Sequence, residues 1–281
     1  MLAPIGVSFA LLWFLWDRAR HGTRFAELAT ALTLPWVFLV FAAWGTGAPT
    51  IPPRAGSEWL LPLAAAGAVL SCAAGVLGQD RRDAWRWVAA GAWWAVRSAL
   101  IVGALLLMAR NVLEFWPRED AVLRIGGWTL AGLAAWWGID RAARVPGAIP
   151  PNLLVIVCAG MSISIALTAV LKPAVLAAGV CATIGPALLV AIRMPYLRLA
   201  AAAGFVPAFL AGLWFTSHAF NEMPAVSNAC SAVACVGAGL TTLRPFARLR
   251  GRVRWTVHLA LVGVPALGGI AWIIGTQPLP V

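Results

Sequence analysis

Residues 244–255 read RPFARLRGRVRW, five arginines in twelve positions of a chain otherwise rich in Ala, Leu, Val and Trp. In a water-soluble protein such a cluster points to nucleic acid, because clustered cations displace the counterions of a phosphate backbone. The surrounding composition argues for a different solvent. Of 281 residues, 62% are hydrophobic and 11% charged, too little polar surface to cover a soluble globule. The net charge of +11 is carried by small basic groups between apolar runs, with no aromatic-interleaved groove and no DNA or RNA motif. Nucleic acid is therefore not an expected partner, and the cluster reads as an orientation signal in a membrane protein.

A hydrocarbon core ~30 Å thick needs about 20 apolar residues per helical crossing. Ten apolar segments supply them: 2–16, 28–46, 59–78, 87–109, 122–139, 153–171, 174–192, 198–217, 228–243 and 255–276. The expected fold class is all-α, a polytopic transmembrane helical bundle of about ten spans with very short loops. Residues 1–281 form one membrane domain without a soluble one. Trp16, Trp44, Trp59, Trp85, Trp116, Trp136, Trp137, Trp214 and Trp255 fall near segment ends, where amphipathic rings favour the headgroup level.

Basic residues alternate in number from loop to loop. With Arg124 and Arg198 at segment edges assigned to the adjoining loops, the connections after segments one, three, five, seven and nine hold 3, 3, 2, 2 and 5 Lys or Arg, against 1, 3, 1 and 0 in the others, while the acidic residues divide evenly. Orientation follows Lys and Arg and hardly Asp and Glu, so Arg244, Arg248, Arg250, Arg252 and Arg254 mark the last cytoplasmic loop of a cell-membrane protein with both termini outside. The same arginines are placed to meet anionic lipid headgroups at that face. Residues 1–24, MLAPIGVSFALLWFLWDRARHGTR, lack a basic n-region and a small-residue cleavage site, which predicts a retained first helix and not a cleaved signal.

Three segments leave alternatives open. The first is fifteen residues, ~22 Å as a helix, so the crossings number nine if it fails to span. Segments six and seven are separated only by Lys172 and Pro173. The fourth contains Arg97. Either a helix from Trp87 to Ala109 carries Arg97 near mid-membrane, facing the bundle with Trp93 and Trp94 one turn earlier, or RRDAWRWVAAGAWWAVR (81–97) lies on the inner surface. In the second case the crossing runs from Ser98 to Trp116, with Arg110 and Glu114 paired.

Chemistry is sparse. There is no HExxH, GxSxG, SxxK or Gly-rich phosphate loop, and Cys72, Cys158, Cys181, Cys230 and Cys235 lie in apolar runs without metal-ligand spacing. No cofactor, metal or catalytic set is expected. The nearest approach to a polar cluster is SHAFNEMP (217–224) at the outer surface, where His218 and Glu222 are four residues apart with Asn221 beside them. Its plainer reading is a helix end and a helix start.

Small residues recur every four positions at Gly160, Ser164 and Thr168, at Gly204, Ala208 and Gly212, and at Ser231, Cys235 and Gly239, a spacing that lets helix backbones approach. The span SNACSAVACVGAGLTTL (227–243) is expected inside the bundle, and ALIVGALLLMA (99–109) toward lipid. Pro35, Pro186, Pro207 and Pro265 permit kinks of the kind that surround transporter sites.

In span number and length the chain resembles the drug/metabolite transporter class of small exporters. That class carries both ends in the cytoplasm, whereas these arginines place them outside, and no residue role is carried over from it. The functional expectation is a carrier or permease-like protein for a small neutral or amphipathic compound, with Arg97, Ser164, Thr168, Ser231 and His258 as intramembrane polar positions. The alternatives are an accessory subunit held by other membrane proteins and a lipid-acting membrane enzyme. A polar midplane cavity among spans two, seven, eight and ten would favour the carrier; a dry closed bundle with a flat apolar flank would favour the subunit.

Overall fold

A backbone in hydrocarbon must satisfy each N–H and C=O within its own segment, so long apolar runs fold as helices. The computed structural model describes residues 2–18, 23–51, 53, 56–77, 85–199, 203–220, 223–249 and 251–277. It is 84% helix, and no strand occurs among the described residues.

The helices are α1 (Leu2–Arg18), α2 (Thr23–Thr46), α3 (Leu60–Leu77), α4 (Trp85–Ala109), α5 (Arg118–Ala143), α6 (Ile149–Leu167), α7 (Leu171–Arg193), α8 (Phe205–Phe220), α9 (Ala225–Leu240), α10 (Arg244–Ala247) and α11 (Gly251–Thr276). A short 3-10 turn at Gly56–Trp59 leads into α3.

Among the described residues six stretches are long and apolar enough to cross a membrane: α6, α7 and α11, most of α2 and of α4, and residues 56–73, the 3-10 turn with most of α3. Three more, α1, α8 and α9, are apolar but shorter. The remaining long helix, α5, places Arg118, Glu119, Asp120 and Arg124 in its first two turns and Asp140 and Arg141 in its last. By length and composition, six of the described helices qualify as crossings, against ten expected segments.

Contacts between connections sort the helix ends into two faces. At one face the Tyr196 hydroxyl donates to the Trp16 carbonyl at 3.0 Å, Arg198 approaches Glu27 at 3.6 Å, and the Gly147 amide donates to the Leu197 carbonyl at 2.9 Å. At the other, Gly56 lies against the Phe220 ring, and Trp116 meets Phe215 edge-on at 6.3 Å. The connections after α1, α5 and α7 therefore share the first face, and those before α3, α5 and α9 share the second.

The axis of this bundle is α8, buried at every position from Phe205 to Ser217. Its small-residue stripe seats it on α3: Gly204 faces Ser71, Ala208 faces Gly67 and Gly212 faces Leu63. Phe38 of α2 stacks on Phe205 and meets Phe209 edge-on. The centre is thus filled by aromatic side chains, and α11, which packs on α6 and α9, does not join α2, α7 and α8 around a shared cavity.

Several sequence-based limits shift. Segment eight begins at Phe205 and not 198, and the α6–α7 connection is Thr168–Val170. Ala169 turns that hairpin at φ 61°, while Lys172 and Pro173 fall in the first turn of α7, where proline removes an amide that has no helical partner. The 99–109 stretch is not wholly lipid-facing, because Ile101, Leu105 and Met108 are buried at helical spacing. Nor is α9 enclosed all round: Ala225, Val226, Ala229 and Val233 form an exposed strip.

Candidate functional site

Arg97 stands in α4, a single helix starting at Trp85, which matches the first of its two sequence-based arrangements. Its Nη1 donates to Asp140 Oδ2 at 2.7 Å. The guanidinium lies 5.1 Å from the Trp94 ring and 4.9 Å from the Trp136 ring, so two aromatic faces and one carboxylate enclose it. Arg97 Nε and Trp136 Nε1 have no hydrogen-bond partner among the described residues.

The ion pair joins the middle of α4 to the last turn of α5, and Val88, Ala90, Gly91 and Ala92, earlier on α4, are exposed. Arg110 and Glu114 lie in turns after the helix, exposed, and form no ion pair among the described residues.

Asp140 and Trp136 were not among the sequence candidates. The fifth segment ends at Ile139, which makes Asp140 look like a loop charge. The sequence offers no spacing signal for the pair, because equal lengths on either side of a turn near residue 115 would set position 97 opposite the middle of α5 and not its last turn.

A groove opens between α5 and α9, with a volume of about 590 Å³. The two helices meet closely where Gly138 touches the Cys235 backbone and Gly239 approaches Gly138. Toward the other face Gly127, Ala131 and Ala134 of α5 confront Ala225, Ala229 and Ala232 of α9. Side chains this short cannot fill the space between separating helices, and among the described residues only His218, from α8, joins them in lining it. At the open end stand Arg124, Trp128 and His218. His218 Nδ1 is 3.1 Å from the Met223 carbonyl and its ring is 5.7 Å from Trp128. Arg124 lies 4.8 Å from the Trp116 ring.

His218 thus belongs to the groove mouth. Asn221 and Glu222, its neighbours in the sequence reading, lie outside the described residues, as does Arg250. Among the described residues no three His, Cys, Asp or Glu side chains are placed to hold a metal ion.

The other intramembrane candidates do not join Arg97. Ser164 is buried on α6 and meets Ser227 at 3.5 Å, next to an inter-helix network in which Asn228 Nδ2 donates to the Trp214 carbonyl and to Ser217. Gly269 of α11 packs on Ser227. Thr168 caps α6 by donating to Ile165 at 2.8 Å, and Ser231 is buried on α9. His258 is fully buried, edge-on to Trp255, with neither ring nitrogen hydrogen-bonded among the described residues.

At the arginine-rich face, Arg244 opens α10, Arg248 and Arg252 are exposed, and Arg254 is half-buried on α11. No known protein family, curated protein or solved structure matches the chain.

Proposed function

We propose that all ten long helices cross the cell membrane, with the arginine-rich face cytoplasmic and both termini outside, and that the protein is a carrier or permease-like protein for a small amphipathic compound. The observation that carries this reading is the α5–α9 groove. It is apolar along its length, polar at one end and open sideways to lipid, the shape that admits an amphiphile laterally from the bilayer. The orientation rests on the arginine count at the face shared by the connections after α1, α5 and α7. The short helices α8 and α9, ~24 Å each, span by bilayer thinning and flanking residues.

Filling the groove with the double substitution Ala131→Phe and Ala229→Phe tests the reading. Photolabelling of the purified protein by a diazirine-bearing monoacylglycerol is expected to fall about tenfold, a loss of roughly 1.4 kcal/mol in binding. Undiminished labelling of the double variant contradicts it.

The second reading, an accessory subunit, is favoured by the centre around α8, where Phe209, Leu213, Trp214 and Phe215 leave no axial path. Purification from mild detergent separates the two. Stable co-migration with another membrane chain supports the subunit, and a solitary monodisperse species supports the carrier.

A further inference from the structure

We infer that the α5–α9 groove holds one acyl chain of a lipid with an anionic headgroup, drawn from the leaflet opposite the arginine-rich face, with the headgroup against Arg124 and His218; the inference rests on the groove reading above. Three features fix the occupant. The first is length. From Leu123 to Ala134 the α5 wall runs ~16 Å at 1.5 Å per residue, about half of a ~30 Å hydrocarbon core, which is the depth of one leaflet's chains. A groove for a bilayer-spanning molecule would continue past the Gly138 contact, where the two backbones close it.

The second feature is charge. Arg124 is half-buried at the mouth, and no carboxylate pairs with it among the described residues. The acidic residues one turn earlier, Glu119 and Asp120, are exposed. A guanidinium held against an apolar groove, with no carboxylate partner among the described residues, is complementary to a phosphate diester. The third is placement. Arg124 is stacked on Trp116 and His218 against Trp128, aromatic surfaces that hold polar tips at headgroup level. His218 Nδ1 lies 3.1 Å from the Met223 carbonyl, which fixes the ring at the mouth beside Arg124.

The test uses the full chain in nanodiscs of phosphatidylcholine doped with diazirine-acyl phosphatidylglycerol or diazirine-acyl phosphatidylcholine of equal chain length, with labels mapped to α5 and α9 peptides. Phosphatidylglycerol is expected to label about fivefold more than phosphatidylcholine, the ratio corresponding to ~1 kcal/mol for one arginine at a lipid surface. Arg124→Gln is expected to lower phosphatidylglycerol labelling to the phosphatidylcholine level, and Arg124→Lys to keep part of the preference. Equal labelling by both lipids in the unsubstituted protein, or a preference that survives Arg124→Gln, overturns the anionic headgroup and leaves the groove reading intact. Unchanged labelling by both lipids in the Ala131→Phe, Ala229→Phe variant overturns the groove itself, and this inference with it.

Discussion

Asp140→Ala is expected to destabilise the detergent-solubilised protein by about 3–5 kcal/mol, because it strands the Arg97 cation in a buried site. The Arg97 and Asp140 side chains are only 11% and 16% exposed, so water replaces little of the lost partner. Trp94 and Trp136 remain against the guanidinium, but an aromatic face contributes roughly 0.5–2 kcal/mol and does not neutralise a charge. The paired substitution Arg97→Leu with Asp140→Leu is expected to recover most of the loss, since it removes both charges and supplies apolar volume. Thermal unfolding of the three proteins checks this. A loss below about 1 kcal/mol for Asp140→Ala would mean that the pair behaves as a surface ion pair.

Gly138→Leu is expected to be comparably damaging, for a reason of shape. A Cβ at this position falls on the Cys235 carbonyl group and about 3.1 Å from the Val236 Cα. These are backbone atoms and cannot rotate aside, so α5 and α9 must separate along their closest contact. Overpacking of this kind costs roughly 1–3 kcal/mol and more when backbone must move, and here it also removes the inner end of the groove. Gly126→Ala on the same helix is the control, because nothing lies within 4 Å of its Cβ position, and replacing a helical glycine contributes up to about 1 kcal/mol of stability. Equal melting temperatures for Gly138→Ala and Gly126→Ala would contradict the close approach.

The sequence shows the helices well because hydrocarbon demands long apolar runs, and those runs survive errors of several residues at each end. Termini were less legible where the chain leaves helix without leaving apolar composition. Leu199 and Ala203 belong to the expected eighth segment yet precede α8, and Thr168–Val170 turn while still reading as apolar. The α8 stripe of Gly204, Ala208 and Gly212 marked a packing face, and that face meets α3. What stayed hidden was pairing. Ala131 and Ala229 are unremarkable alone, and they form a groove only because Gly138 and Gly239 bring α5 beside α9 from about 100 residues away. The partner of Arg97 was obscured in the same way: Asp140 was visible as an acid, but its depth depends on the α4–α5 hairpin.

Arg244, Arg248 and Arg252 are exposed around α10 and the start of α11, and no described carboxylate pairs with them. They lie at the end of α9 that leads away from the groove, so the cationic surface and the groove mouth occupy opposite faces. A carrier loading an anionic amphiphile at the Arg124 face would thus have its densest positive charge on the far side.

Labelling of single introduced cysteines in intact cells by a membrane-impermeant maleimide tests the threading of the chain most directly. Four positions bracket α7, α8 and α9: Lys172 in the first turn of α7, Arg198 between α7 and α8, Phe220 at the end of α8, and Arg248 beyond α9 and α10. With ten crossings and a cytoplasmic arginine-rich face, Lys172→Cys and Phe220→Cys are labelled from outside, whereas Arg198→Cys and Arg248→Cys react only after permeabilisation. Labelling of Arg198 and Phe220 from the same side would show that α8 does not cross, and the reverse pattern at all four positions would place the arginines outside.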